Sequence, residues 1–185
     1  MRRRARSRAR AVLERDVEAF AAAGYREDGR RRELRTTLAR AGRPTLRVEL
    51  VSTGGRIFGG TYAMEVSTAE PVLPATAGGV RVKGRGVVRM QGMSFRPRKG
   101  DRAGERLAEH LASDERLERA LRAVHFEEIR VEPDGRAVIR HMGGSLVWLL
   151  FPPMTRPIAI STEQIGATAT GIGAFARAGG TAVIA

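Results

Sequence analysis

The chain has 185 residues, with 33 Lys and Arg against 20 Asp and Glu, a net charge of +13, and no cysteine. That length supports one domain with its own core; 42% hydrophobic composition excludes a wholly disordered chain, and the lack of cysteine excludes disulfides, Cys-rich zinc sites and thiol catalysis. The charge is concentrated, with a net +8 in residues 1–43 and +7 in 81–106, whereas 44–80 and 107–185 are each −1.

In chain order, Ala9, Leu13, Val17 and Phe20 recur at helical spacing over about residues 5–23, and Gly24 supplies the stop. Residues 1–10 form a basic N-terminal arm on this helix, with Arg2, Arg3, Arg4, Arg6 and Arg8. An antiparallel meander over 33–66 follows from the alternation of Leu34, Thr36 and Leu38, then of Leu46, Val48 and Leu50. A loop at Thr53 to Gly55 sets Leu50 against Phe58, Val48 against Gly60 and Leu46 against Tyr62. Gly59 and Gly60 inside the returning strand predict a bulge or a close approach by another backbone. Residues 67–79 read as a loop, and basic strands follow over 80–85 and 87–96.

Two short helices are expected at about 101–112 and 114–124, the second capped by Ser113. Phe126 to Glu132 and Arg136 to Met142 flank Pro133-Asp134-Gly135, a three-residue hairpin loop with a glycine bulge. Its register pairs Val131 with Ala137 and Ile129 with Ile139 on one face, and Glu132 with Arg136 and Glu128 with Arg140, two opposite-charge pairs, on the other. Leu146 to Phe151 reads as a buried strand ended by Pro152-Pro153. Ser161-Thr162-Glu163-Gln164 matches a capping box opening a last helix to about residue 178, and 179–185 reads as a tail. The expectation is a single α+β domain over 11–178. A mostly antiparallel sheet from two strand groups is covered by the N-terminal helix, the central helix pair and the C-terminal helix.

Most chemical motifs lack their physical context. Gly171-Ile-Gly173-Ala-Phe-Ala176 matches a dinucleotide fingerprint but lies inside a predicted helix with no strand before it. No G-x-S-x-G elbow accompanies His141-Met-Gly-Gly-Ser145. Three isolated histidines show no metal-ligand spacing, so neither a metal nor a cofactor is expected. The helix pair before the hairpin evokes a winged helix-turn-helix, yet the second helix is electrically neutral where a recognition helix is basic. The hairpin register places Glu127 opposite His141 on the apolar face, which makes the pair either a structural link or a general acid/base couple. No apolar run approaches a membrane span or a signal peptide, and a cytoplasmic location is the expectation.

The segment Val124 to Pro153, reading Val-His-Phe-Glu-Glu-Ile-Arg-Val-Glu-Pro-Asp-Gly, then Ile-Arg-His-Met-Gly-Gly-Ser and Leu-Phe-Pro-Pro, resembles a conserved bacterial family of unknown function common in actinobacteria. That resemblance implies no catalytic residues. The element order is also similar to dimeric secretion-chaperone-like folds, whose acidic character this chain does not share. Three readings stand. The first is a non-enzymatic binding module engaging RNA, DNA or anionic lipid through Arg2, Arg3, Arg4, Arg6, Arg8, Arg81, Lys83, Arg85, Arg89, Arg96, Arg98 and Lys99. The second is a small enzyme or ligand-binding domain built on Glu127 and His141, and the third a chaperone-like homodimer. Arg richness beside abundant Ala and Gly also fits GC-rich coding, which leaves the charge without a function of its own.

Overall fold

The computed structural model describes residues 2–53, 59–85, 92–149 and 154–182, and of residues 2, 3, 85, 181 and 182 the backbone alone. The elements are α1 (Arg2–Ala22), β1 (Arg26–Glu27), β2 (Arg35–Ala39), β3 (Leu46–Thr53), β4 (Gly59–Thr68), β5 (Val80–Arg85), β6 (Gly92–Pro97), α2 (Arg102–Ser113), α3 (Glu115–Arg122), β7 (Phe126–Val131), β8 (Ala137–His141), β9 (Ser145–Leu149), β10 (Met154–Ile158) and α4 (Thr162–Ala182). The strands form one antiparallel sheet in the order β1-β2-β3-β4-β8-β7-β5-β6, so the fold is α+β as the patterning predicts. The sheet forks at β4: its C-terminal half pairs with β8, its N-terminal half with β9, and β10 continues that second branch. Among the described residues no helix is long and apolar enough to cross a membrane.

Period-two alternation sorts the side chains onto two different faces. Val48, Val66, Ile139, Ile129 and Val82 stand in one row across β3, β4, β8, β7 and β5, each at most 4% exposed. This face carries the helices: α1 packs on β3 and β9, α2 on β5 and β6, α3 on β6, and α4 on β4 and β8. The glycines inside α4 serve that packing. A Cβ at Gly171 would come 3.1 Å from Leu121 and 3.6 Å from Ile139, so its absence lets α4 approach both α3 and the sheet.

Several expectations need correction. The β3–β4 register pairs Val48 with Val66, Leu50 with Met64 and Leu46 with Thr68, and not with Gly60, Phe58 and Tyr62. The observed register sets valine and methionine, where the shorter loop would set glycine, against the core strand, and so buries more apolar surface. Phe58 and the Gly54-Gly55 turn lie outside the described residues. Gly60 meets another strand, as its lack of side chain predicts: a Cβ there would lie 3.0 Å from the Trp148 indole. Asp114, not Ser113, caps α3, accepting from the amides of Arg116 and Leu117, because the carboxylate meets two orphan donors where Ser113 turns back to the His110 carbonyl. Ser161 does cap α4. Gln164 leaves the reciprocal half of the box and instead bridges the α3–β7 corner, accepting from the His125 amide and donating to the Ala123 carbonyl. β1 and β10 are absent from the alternation because both are edge strands that bury almost nothing. α1 starts earlier than the spacing predicts and α4 continues to Ala182.

The β7–β8 turn has the expected glycine bulge, with Gly135 at φ +86°. Its carbonyl accepts from Val72 and Leu73, which ties the 69–79 loop to the hairpin. A Cβ at Gly135 would sit 2.0 Å from the Leu73 carbonyl oxygen, whereas Gly42, also left-handed at φ +69°, has open space around it. Gly42→Ala is therefore expected to cost about 1 kcal/mol, the left-handed penalty alone, and Gly135→Ala more than about 3 kcal/mol because backbone must also move. Urea unfolding of the two variants separates the effects; equal losses would show that the Leu73 contact is unimportant.

Candidate functional site

The face of the sheet opposite the helices carries the charges. On it Glu65 (β4) stands beside Arg140 (β8), which stands beside Glu128 (β7). In the adjacent row Arg130 (β7), Arg81 (β5) and Arg96 (β6) lie side by side across three strands. Glu65 anchors the lattice. Its two carboxylate oxygens accept from both guanidinium nitrogens of Arg130 at 3.1 and 2.9 Å, and one of them also accepts from Arg140 at 2.6 and 2.9 Å. Arg130 reaches Glu132 at 2.7 Å and Glu128 at 3.5 Å, and Arg140 reaches Glu128 at 3.1 Å. Burial by itself would raise the Glu65 carboxyl, but hydrogen bonds and charge from the two arginines outweigh it and hold it below the ordinary value.

The three arginines in a row differ in their partners. Arg130 is enclosed by carboxylates, whereas Arg81 is 74% exposed with only a 4.0 Å approach to Glu128. Arg96, directly across from it, is exposed on β6, the edge strand of this branch. Lys83 shares their face and is exposed, and exposed Arg98 and Lys99 follow at the end of β6. Arg81, Lys83 and Arg96 are thus brought together on one face, with Arg98 and Lys99 exposed just past the strand. Arg85 is described by its backbone alone, and Arg89 lies outside the described residues.

The N-terminal arginines belong to another part of the fold. They ride on α1, which packs on β9, β3 and α4, while β5 and β6 pack on β7 and α2. Arg6 pairs with Glu33 at 2.6 Å, Arg8 donates to the Thr155 hydroxyl, and Arg4 is exposed. Arg2 and Arg3 are placed by backbone only.

Glu127 and His141 are not partners. A bulge between Phe126 and Glu128 sets Phe126 opposite His141 and turns Glu127 to solvent. The physical reason is that regular pairing would put a carboxylate against the helix-covered face, where its desolvation costs more than one irregular residue. His141 is 1% exposed and its Nε2 lies 2.8 Å from the Thr168 hydroxyl of α4, which itself donates to the Gln164 carbonyl. Burial pushes the imidazole down to about 4, so it is a neutral core group at physiological pH. Short-range pattern could not reveal the Glu65 hub, because Glu65 and Arg140 are 75 residues apart. Cross-strand charge pairing pointed to Glu128–Arg140, which forms at 3.1 Å, and to Glu132–Arg136, which does not: Glu132 goes to Arg130 and Arg136 to Asp134, each at shorter reach.

Asp16 was also silent in the sequence. It lies on the covered face of α1, 1% exposed, with Oδ1 bound by Arg15 and Oδ2 without a partner. Burial pushes its carboxyl up to about 6, against the lowering effect of Arg15. Among the described residues no cluster of His, Asp and Glu could hold a metal ion.

Two predictions follow from these buried and half-buried charges. Asp16 titrates from 3.8 to about 6 on folding, so its contribution to stability is full below pH 4 and lost as pH rises through 6. His141 moves from 6.5 to about 4, so its contribution is full above pH 6.5 and lost as pH falls through 4. Each is worth about 3 kcal/mol and they oppose across the same window. Asp16→Asn should gain about 1–2 kcal/mol at pH 7 and then lose stability steadily from pH 6.5 to 4, where the parent chain stays nearly level; urea midpoints at stepped pH give the profile, and a level Asp16→Asn profile would contradict the assignment. Glu65→Gln strips two half-buried guanidinium groups of their shared carboxylate and should cost about 2–3 kcal/mol, against less than about 0.5 for Arg81→Gln; equal losses in the same assay would show that the lattice is only decorative.

The model of the family described as "Protein of unknown function (DUF3156)" matches residues 18–178, a span that contains the sheet, its charged face and the Val124 to Pro153 segment; the chain belongs to that family. No curated protein and no solved structure matches the chain.

Proposed function

We propose that this member of the family is a non-enzymatic binding module that engages the phosphate backbone of a nucleic acid through the exposed face of the β5–β6 hairpin. One observation carries the reading: Arg81 and Arg96 face each other directly across antiparallel strands, with Lys83 on the same face. Like charges in that relation repel, and a phosphate lying between them turns the repulsion into two charge-assisted hydrogen bonds. One strand further in, Arg130 already has Glu65, Glu128 and Glu132, so it holds the strands together and leaves anion capture to the edge.

Arg98 and Lys99, exposed just beyond the end of β6, add positive charge beside this pair. Phe95, between Ser94 and Arg96, packs toward the core, so this face offers cations without a stacking platform. Contacts of that kind position a backbone and do not read bases.

Fluorescence anisotropy with a labelled 20-base-pair duplex, titrated from 50 to 200 mM salt, is the test. Three phosphate contacts predict a log–log salt slope of about −2.7. The triple variant R81Q/K83Q/R96Q should bind at least about tenfold more weakly with a nearly flat slope, while R4Q/R8Q stays within about twofold of the parent. Unchanged binding in the triple variant, or binding to anionic vesicles and not to nucleic acid through these same residues, would overturn the reading.

A further inference from the structure

Between the N-terminal half of α1 and the β9–β10 hairpin lies a cavity of about 290 Å³, on the other branch of the sheet from the β5–β6 face. Its walls combine two chemistries. Arg4 and Arg8, one helical turn apart on α1, stand with Ala5 on one side; Trp148, Leu149 and Met154 of the hairpin line the other. Arg8 is steered toward the hairpin by its hydrogen bond to the Thr155 hydroxyl. Arg4 forms no ion pair among the described residues.

The site is built by small residues on both sides. Ala5 is buried where α1 approaches the hairpin, and as the smallest side chain able to hold a helix it leaves the space open. Gly60 lets the Trp148 indole lie against β4, so the ring's position is set by backbone and its 8% exposure is directed outward. Leu149 and Met154, cross-strand partners, complete the lining at the hairpin end, with their side chains on the face of the hairpin opposite Trp148.

We infer that this cavity binds an anionic amphiphile, a single alkyl chain bearing a carboxylate or phosphate headgroup, with the chain along Trp148 toward the end of the β9–β10 hairpin and the headgroup between Arg4 and Arg8. Charge and shape agree on the class. The rim is cationic and the floor is apolar. Neutral apolar ligands would leave the arginines unused, and small anions would leave the apolar floor wet.

Trp148 is the chain's single tryptophan, so its emission reports on this cavity alone. Titration with decanoate and decyl phosphate, each below its aggregation threshold, should shift the emission saturably, and decanol should bind at least tenfold more weakly. R4Q/R8Q should weaken decanoate at least tenfold without altering the far-ultraviolet dichroism, since both arginines are on the surface, whereas R81Q/K83Q/R96Q should change nothing. Phosphatidylglycerol vesicles form the second arm. A blue shift with vesicles that depends on Arg4 and Arg8 assigns the amphiphile to a bilayer, and a response to free decanoate alone assigns it to a soluble ligand. No saturable shift with either source, or decanol binding as tightly as decanoate to the unsubstituted protein, overturns the proposal. Because the arginines and the readout differ from those of the β5–β6 face, failure here leaves the nucleic-acid reading standing, and the reverse holds as well.

Discussion

A sheet that carries its helices on one face must keep the other face compatible with water, and the remaining features of this fold follow from how that is done. A neutral polar face would be adequate for solubility. Here the central strands instead carry a carboxylate, Glu65, held at once by Arg130 from two strands away and Arg140 from the neighbouring strand. Those bonds run across β4, β8 and β7, perpendicular to the chain, and so add a lateral tie to a region where β4 meets β8 through only three residue pairs. Ser67 and Val138, which belong to this open face, are 7% and 3% exposed between the flanking arginines. The aliphatic stems of long cationic side chains shield the small residues beside them while their heads stay in the ion lattice.

This arrangement changes what the net charge means. A total of +13 invites a polyanion argument for every arginine, yet the arginines divide by partner. Arg130 and Arg140 are each less than about a quarter exposed and are answered by Glu65, Glu128 and Glu132; removing them would loosen the sheet. Arg6, Arg10 and Arg31 are answered by Glu33, Glu14 and Glu27 on the surface, where such pairs contribute little to stability. Arg81 and Arg96 differ in kind, because the strand register forces them together. The charge that the register forces together without a carboxylate between is therefore a property of the β5–β6 hairpin, and the sum over the chain conceals it.

Much of the fold was legible because it rests on local physics. The hairpin around Pro133-Asp134-Gly135 announced its turn, its register and its charged outer pair, since a three-residue loop fixes all three together. The four helices announced their apolar stripes. What failed was whatever depends on distant partners. The β3–β4 register is decided by Val66 and Met64 being better partners than Gly60, a comparison that needs the whole sheet. The bulge at Glu127 exists because the helices make one face dry, and nothing within the hairpin marks which of its ends meets that dryness. Gln164 fits a capping box by spacing, but a corner of backbone at Ala123 and His125, some 40 residues earlier, offers it two bonds in place of one. The candidate site divides in the same way. Arg81, Lys83 and Arg96 could be named from charge clustering, whereas the difference between them and Arg130 could not, because it resides in Glu65.

The fork at β4 connects the two ends of the molecule. For β8 to hand the chain to β9 along the same strand, it must turn within Met142, Gly143 and Gly144. A Cβ at Gly143 would meet the Ala159 carbonyl oxygen at 2.8 Å, and one at Gly144, with φ +67°, would meet Met64 at 2.6 Å and the Asp16 carboxylate at 3.1 Å. The turn is thus sealed against both the connection after β10 and the middle of α1. Asp16 is buried at that seal, and its unpartnered oxygen is a cost of bringing α1 so close. The helix anchored at this point cannot also follow the sheet's other branch; its N-terminal half continues over β9 and β10, where Ala5 and Gly60 are too small to close the gap. The cavity beside Trp148 is in this sense a consequence of the fork: the branch that the N-terminal half of α1 follows leaves an opening that side chains from α1 and the hairpin line but do not fill.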